Sequence, residues 1–399
     1  MSGLTRRAFV ANTCLSAAAP GLTSASPATA LASDLPKAGR PLKRTQRAAA
    51  IGSTGRGGFG HGLDRVFVNL PGVEFVAIAD DDPAGLKAAG TRTGVKRQYS
   101  DYRAMLKNEK IDVVSVATRQ VTLHEEMVVA CAEAGKHIFC EKPLAPDLAA
   151  ADRMLKVCEK NGVKIAVALP NRASLAIRRA LKWVRAGRIG RVLSFRTRCK
   201  EDRWSGGENL LVLGYHFLDL MCLFGGYPEW TFAQVKQGGR DVVKGDTRVT
   251  SEPLGTVAGD TIAAMYGFPN DVHGYFESYP NLKRSPERFS MEIYGDAGMI
   301  TTRSVRDVML FEGPILNPAK AHKWKPITTD KWDAIRDKGH WCSQQLVLDL
   351  LRSIEEDREP YSSGKNARWV LEMVQSVYAS HLAKARVTLP LTERAHPLS

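Results

Sequence analysis

Residues 48–60 read Ala48-Ala49-Ala50-Ile51-Gly52-Ser53-Thr54-Gly55-Arg56-Gly57-Gly58-Phe59-Gly60. An apolar run too short for a helix, ending in a turn crowded with glycine, is the pattern of a buried parallel strand entering a crossover. Glycines in such a turn let backbone N–H groups approach a pyrophosphate at the start of a helix, where the helix dipole favours negative charge. Gly52 and Gly57 fill the first and third places of G-x-G-x-x-G, Thr54 stands in the middle place, Gly55 beside it supplies flexibility, and Arg56 lies within the loop. The plainer reading of the same residues is a glycine-rich turn without a ligand.

Working outward, short apolar runs recur at Phe75–Ala79, Val113–Ala117 and His137–Cys140, each bounded by turn or acidic residues. Helical stretches lie between and after them: Met127 to Ala134 stops at Gly135, and Ala151, Met154, Leu155 and Cys158 repeat at i, i+3, i+4, i+7. Strands alternating with helices predict a doubly wound parallel sheet, a Rossmann domain over residues 47–168. Beyond it the grammar changes. One helix with Ile177, Leu181 and Val184 is followed by strand-like runs at Val192–Thr197, Thr261–Phe268, Tyr275–Ser278, Phe289–Tyr294 and Met299–Thr302. This predicts an α+β domain with an open, mostly antiparallel sheet over 169–390, followed by a tail at 391–399. Two terminal helices, striped by Val347, Leu350, Leu351, Ile354 and by Val370, Met373, Val374, Val377, have room to pack back on the first domain.

Two strand ends carry chemistry. Asp80-Asp81-Asp82 closes the second run, where an acidic side chain accepts the adenosine ribose hydroxyls of a dinucleotide. Asp80 is the residue expected there, which favours NAD over NADP, while Arg56 keeps a 2′-phosphate in play; an N-cap before Pro83 is the structural alternative for the triplet. Cys140-Glu141-Lys142-Pro143 closes the fourth run at the crevice where ligands bind in open α/β sheets. A lysine there can polarise or protonate a substrate oxygen.

The stretch 132–145, AEAGKHIFCEKPLA, closely resembles the signature of the Gfo/Idh/MocA dehydrogenases, typified by glucose-fructose oxidoreductase and inositol dehydrogenase. The resemblance extends over nearly all of Arg47 to Pro390. It implies that Glu141 and Lys142 lie beside the nicotinamide and substrate, with Lys142 catalytic, and that Thr118 opens a loop lining the nicotinamide side. The family motif D-x-G-x-H-x-x-D is recognisable in Val212-Leu213-Gly214-Tyr215-His216-Phe217-Leu218-Asp219. On that match His216 is the catalytic histidine, exchanging a proton with a sugar hydroxyl near neutral pH, and Asp219 orients the helix. Two departures stand out. Val212 replaces the family's aspartate, leaving either His216 with Lys142 alone or a substitute carboxylate from Glu201, Asp202 or Glu208. In Thr118-Arg119-Gln120-Val121-Thr122-Leu123-His124, Arg119 replaces a proline and one residue is inserted; His124 reads as a helix start.

The 399 residues are 44% hydrophobic and 25% charged, the composition of a globular chain with true cores. The net charge of +14 is spread singly, without basic runs interleaved with aromatics, so a nucleic-acid partner is not expected. Seven cysteines without a C-x-x-C pair argue against a disulfide framework, and no metal site is expected. Arg6-Arg7, an apolar run from Phe9 to Leu22, and small-residue cleavage points at Ala28-Thr29-Ala30 and Ala30-Leu31-Ala32 resemble a twin-arginine export signal over 1–32, followed by a polar linker over 33–46. No later run is long enough to span a membrane.

Together these readings imply an exported, NAD(P)-dependent oxidoreductase that acts on a sugar, cyclitol or related polyol by hydride transfer and holds its cofactor tightly. The resemblance also implies a homo-oligomer built on the open sheet. Two other readings remain open: a redox-neutral, NAD-using glycosidase, and a binding protein that keeps sugar and dinucleotide without turnover.

Overall fold

The computed structural model describes residues 40–199, 203–282, 290–302, 308–313, 324–326 and 340–399. The leader, Glu201 and Asp202 lie outside the described residues. In the first domain six parallel strands, β1 (Gln46–Ile51), β2 (Val73–Ala79), β3 (Arg97–Tyr99), β4 (Val113–Val116), β5 (His137–Cys140) and β6 (Ile165–Val167), take the order β3-β2-β1-β4-β5-β6. That is the Rossmann order, with its switch point between β1 and β4, where crevice ligands bind at the strands' carboxyl ends. Helices α1 (Pro83–Thr93), α2 (Tyr102–Asn108), α3 (His124–Glu133) and α4 (Leu148–Lys160) lie along the strands. Ala48, Ala49 and Ala50 are fully buried, so the central strand is lined with the smallest side chains.

The glycine turn departs from expectation. No helix follows β1; residues 53–69 form a succession of turns, with i→i+3 bonds from Gly60 to Gly57, Gly62 to Phe59, Arg65 to Gly62 and Val68 to Arg65. Gly55, Gly57, Gly58, Gly60 and Gly62 all have positive φ, a conformation that a right-handed helix excludes. A glycine turn closed largely by its own hydrogen bonds, rather than a helix terminus, therefore stands where the fingerprint leads one to expect a dipole.

In the second domain the sheet runs in the order Val308–Glu312, Gly298–Thr302, Ser290–Gly295, Val192–Arg198, Val272–Ser278, Thr261–Phe268, Trp230–Gln237, with short pairings at its margins. Only the pairing of Val192–Arg198 with Val272–Ser278 is parallel among these neighbours. Along Thr261–Phe268, Ile262, Ala264 and Tyr266 point inward, and Tyr266 donates to the Met373 carbonyl at 3.2 Å in the helix Gly364–Ala383. The opposite face carries exposed Phe232, with Arg196 stacked over the rings of Tyr275 and Tyr294.

The helix Gly364–Ala383 also reaches the first domain. A side chain on Gly364 would meet the Leu155 and Ile165 side chains within 2.8 Å, so glycine lets the helix start close against β6 and α4. Residues 391–399 dock rather than trail: Arg394 bonds Asp152 at 2.8 Å and Glu372 at 3.0 Å, and its carbonyl accepts from Ala149 N. No helix among the described residues is long and apolar enough to cross a membrane.

Candidate active site

The carboxyl ends of β1, β2 and β4 hold the glycine loop in place through their own side chains. Asp80, almost fully buried, accepts from Thr54 N at 2.9 Å and Thr54 Oγ1 at 2.7 Å. Thr54 fits because α1 presents Gly85, where a Cβ would sit 2.0 Å from the threonine hydroxyl. Thr54 in the middle glycine's place is thus the bolt between loop and β2. The acidic triplet divides its labour: Asp82 caps α1 by accepting from Gly85 N at 2.6 Å, and half-exposed Asp81 accepts from Ser53 Oγ at 3.0 Å and pairs with Arg56. Asp80, the expected ribose acceptor, is buried with its carboxylate on the loop, while Asp81 is the half-exposed carboxylate of the triplet, its oxygens on Ser53 and Arg56.

On the other side, Thr118 Oγ1 donates to the Arg56 carbonyl at 2.6 Å and accepts from Gln120 N at 3.1 Å. Gly57, at φ +90°, lies against Arg119, whose Cβ would be 2.6 Å from any side chain there. Arg119 in turn pairs with Glu252 of the second domain at 3.3 Å. His124 begins α3 as expected and is buried, its ring nitrogens 2.8 Å from the Thr118 carbonyl and 3.1 Å from that of Leu144. It joins the loop after β4 to the segment after β5.

That segment brings the two domains together. Glu141 is held by its N–H to the Val116 carbonyl at 2.9 Å, and its Oε1 accepts from His61 Nδ1 at 2.6 Å. Its other oxygen, Oε2, is buried and has no hydrogen-bond partner among the described residues. Lys142, 2% exposed, extends into the second domain and donates from Nζ to the Val212 carbonyl at 3.1 Å. Val212 lies in a π-helical turn, Leu210–Gly214, set between the short helix Gly207–Asn209 and the helix Tyr215–Gly225. Such turns break the regular backbone ladder and recur at functional sites.

His216 follows one turn later. Burial, reinforced by the charges of Lys142 and His61, pushes its pKa well below the ordinary imidazole value, and its Nδ1 has no hydrogen-bond partner among the described residues. The expectation of titration near neutrality is therefore replaced by a neutral imidazole, a weaker base than a free one until a bound group offsets these charges. Asp219 faces away from this chemistry. It pairs with Arg172 at 2.7 Å, both 1% exposed, and Arg172 also donates to the Tyr361 carbonyl. Burial opposes both charges: on Arg172 it is outweighed by Asp219 together with Tyr361, leaving the guanidinium above its usual value, whereas on Asp219 burial prevails and raises the carboxyl. Glu208, a sequence candidate for the missing carboxylate, is fully engaged: Oε1 accepts from Ser251 N and Oγ, and Oε2 from Arg248 at 2.7 Å. His61 is the site residue that sequence reasoning missed, a lone histidine in a glycine loop without a motif to mark it.

Among the described residues no cluster of three or more histidine, cysteine or acidic side chains could hold a metal ion. The glycine cradle, the exposed carboxylate at the end of β2 and the unpartnered Glu141 oxygen at the end of β5 fit a dinucleotide laid across the switch point. The profile of the oxidoreductase family with an NAD-binding Rossmann fold matches residues 47–169, and that of the GFO/IDH/MocA C-terminal domain matches 177–301. The chain belongs to the GFO/IDH/MocA family.

Among its relatives in that family, D-apiose dehydrogenase of Paraburkholderia graminis is 36% identical over 355 residues, covering 82% of this chain and 86% of that enzyme. Levoglucosan dehydrogenase of Pseudarthrobacter phenanthrenivorans is 30% identical over 248 residues, 56% of this chain. That match spans 63% of the levoglucosan enzyme, just under two thirds. A solved levoglucosan dehydrogenase, in complex with NADH and L-sorbose, superposes with a TM-score of 0.68 at 22% identity, covering 87% of this chain and 99% of that one. The last of these speaks to the shared fold.

Proposed function

We propose that this GFO/IDH/MocA chain is an NAD-dependent oxidoreductase of a sugar, cyclitol or related polyol. The observation that carries the reading is the Lys142 contact: a buried lysine at the end of a Rossmann strand reaches the backbone of Val212, one turn before a half-buried histidine whose Nδ1 is itself enclosed. A pocket floored by these two groups and walled by Glu141 takes a hydroxyl-bearing carbon. NAD supplies the hydride acceptor when bound. Lys142 orients the reacting oxygen by donating a hydrogen bond, and His216 takes the hydroxyl proton as the carbon–hydrogen bond gives up its hydride. The names of the relatives, D-apiose and levoglucosan dehydrogenase, support a carbohydrate substrate. Half-exposed Asp81 favours NAD, because its charge repels a 2′-phosphate, although Arg56 beside it tempers that repulsion.

The proposal extends to location and assembly. The leader at 1–32 supports twin-arginine export, and an exported protein has no free pool of NAD to draw on, so its cofactor stays bound through the cycle. The exposed face of the open sheet, with Phe232, is the surface on which copies of this chain would pair. The test is to purify the folded protein without added nucleotide, denature it and identify the released dinucleotide by mass spectrometry. Near-stoichiometric NAD(H), followed by nicotinamide reduction on adding a sugar, is the expected result. Release of an aglycone without net reduction would shift the reading to a redox-neutral glycosidase. A protein that neither carries nor binds NAD would overturn it.

A further inference from the structure

The loops that follow β1 and β4, the strands either side of the switch point, lie directly against each other. Thr118 Oγ1 donates to the Arg56 carbonyl at 2.6 Å, Gly57 lies against the backbone and Cβ of Arg119, and Arg119 Nη2 donates to the Gly60 carbonyl at 3.3 Å. A dinucleotide on a sheet of this order lies in the crevice outside the strands' carboxyl ends at that point. Arg119 therefore stands across the way in. Its Nη1 reaches Glu252 of the second domain at 3.3 Å. A proline at 119 could make neither contact.

Glu252 is brought there by a hairpin that is held at its base. Arg248–Val249 pairs antiparallel with Thr256–Val257, and Thr250 closes the turn, donating its N–H to the Gly255 carbonyl at 3.0 Å and accepting from Leu254 N at 3.0 Å. Buried Glu208 grips the hairpin through Ser251 N at 2.9 Å, Ser251 Oγ at 2.5 Å and Arg248 at 2.7 Å. Toward the nucleotide loop, the Pro253 carbonyl accepts from Val121 N at 3.1 Å. The Arg119–Glu252 contact is looser than these. Each side chain is 32% exposed, and Arg119 Nε and Glu252 Oε2 have no aligned hydrogen-bond partner among the described residues. Resting on the dinucleotide reading above, we infer that Arg119 and Glu252 form a clasp between the domains, which opens to admit and release NAD and so sets the rate of its exchange. Every bond of the clasp joins protein groups, so opening is the same step for entry and for exit. Its strength falls with salt, because a pair this exposed is screened.

The experiment loads the full chain with NAD, mixes it with excess isotope-labelled NAD and follows replacement of the bound molecule by mass spectrometry at low and high salt. Wild type, Arg119→Ala, Glu252→Gln and the double variant are compared, with the NAD association rate and Kd measured alongside. Each single variant should release NAD roughly two- to fivefold faster, the scale of a partly exposed ion pair. Association should quicken with release, so that Kd moves less than either rate. The double variant should be no faster than the faster single one, because both remove the same contact. Release from the wild type should rise more steeply with salt than release from the variants. The inference is overturned if either single variant exchanges NAD at the wild-type rate, or if the two effects multiply. It is also overturned if Arg119→Ala weakens Kd as much as it speeds release, since Arg119 would then be holding the nucleotide itself. Glu252→Gln keeps the side chain's size at a partly exposed position, so the test stands even where Arg119→Ala does not fold. A folded wild type that neither carries nor takes up NAD defeats the dinucleotide reading and the clasp with it. NAD-loaded protein whose exchange ignores both substitutions defeats the clasp alone.

Discussion

The two walls of the crevice are finished to different degrees. On the nucleotide side the loop is bolted by local bonds: Thr54 to Asp80, Thr118 to the Arg56 carbonyl, Asp82 to Gly85 N. On the substrate side a π-helical turn and a neutral histidine with a bare Nδ1 face the chemistry. The difference teaches where preorganisation is placed. A cofactor that remains bound calls for a cradle complete before the reaction, whereas groups that handle a travelling proton keep hydrogen-bonding capacity in reserve.

The contrast breaks most sharply at the lysine joining the walls. Lys142→Ala should lower kcat/KM for the oxidised sugar by about 10²–10⁴-fold, the range for a lost acid–base group, while near-stoichiometric NAD retention, measured by mass spectrometry, continues. The next effect lies behind the substrate wall. Asp219→Asn leaves Arg172 charged and uncompensated in the interior, which should cost about 3–5 kcal/mol in denaturant unfolding. On the cradle side, Asp80→Asn loosens the Thr54 bolt and should weaken NAD binding, by calorimetry, by an amount equivalent to about 1–3 kcal/mol, with kcat at saturating NAD little changed.

The smallest effect comes from pH. Because burial depresses the His216 pKa, the unfolded chain binds the extra proton first as pH falls through the ordinary imidazole range, so the native state loses stability toward acid. His216→Gln should flatten that part of the stability profile, followed by thermal unfolding at a series of pH values. An unchanged slope would mean that the His216 pKa is not depressed in the native state.

Most of the scaffold was legible because its signals are local. Four of the six Rossmann strands stand out as apolar runs between turn residues; β3, with Arg97 and Gln98 exposed at the sheet's edge, and three-residue β6 do not. The sequence order of glycines pointed to a dinucleotide loop but also to a helix after it, and the positive φ values decide against the helix. The acidic triplet announced a ribose acceptor without saying which carboxylate the loop would consume. Lys142 and His216 stand out through their motifs, and the structure brings Lys142 to the turn just before His216. His61, Glu208's engagement and the docking of Arg394 were invisible, because each depends on a partner between 40 and about 240 residues away in the chain. No periodicity records such contacts.

The central claim is that Lys142 and His216 together oxidise a carbohydrate hydroxyl with NAD held in the adjoining cradle. Its most direct test is a single-turnover measurement of nicotinamide absorbance when sugars and polyols are added to NAD-loaded wild type, Lys142→Ala and His216→Gln. The account predicts reduction by at least one such substrate in the wild type, and a loss in both variants while NAD remains bound. Equal reduction in all three proteins would contradict it.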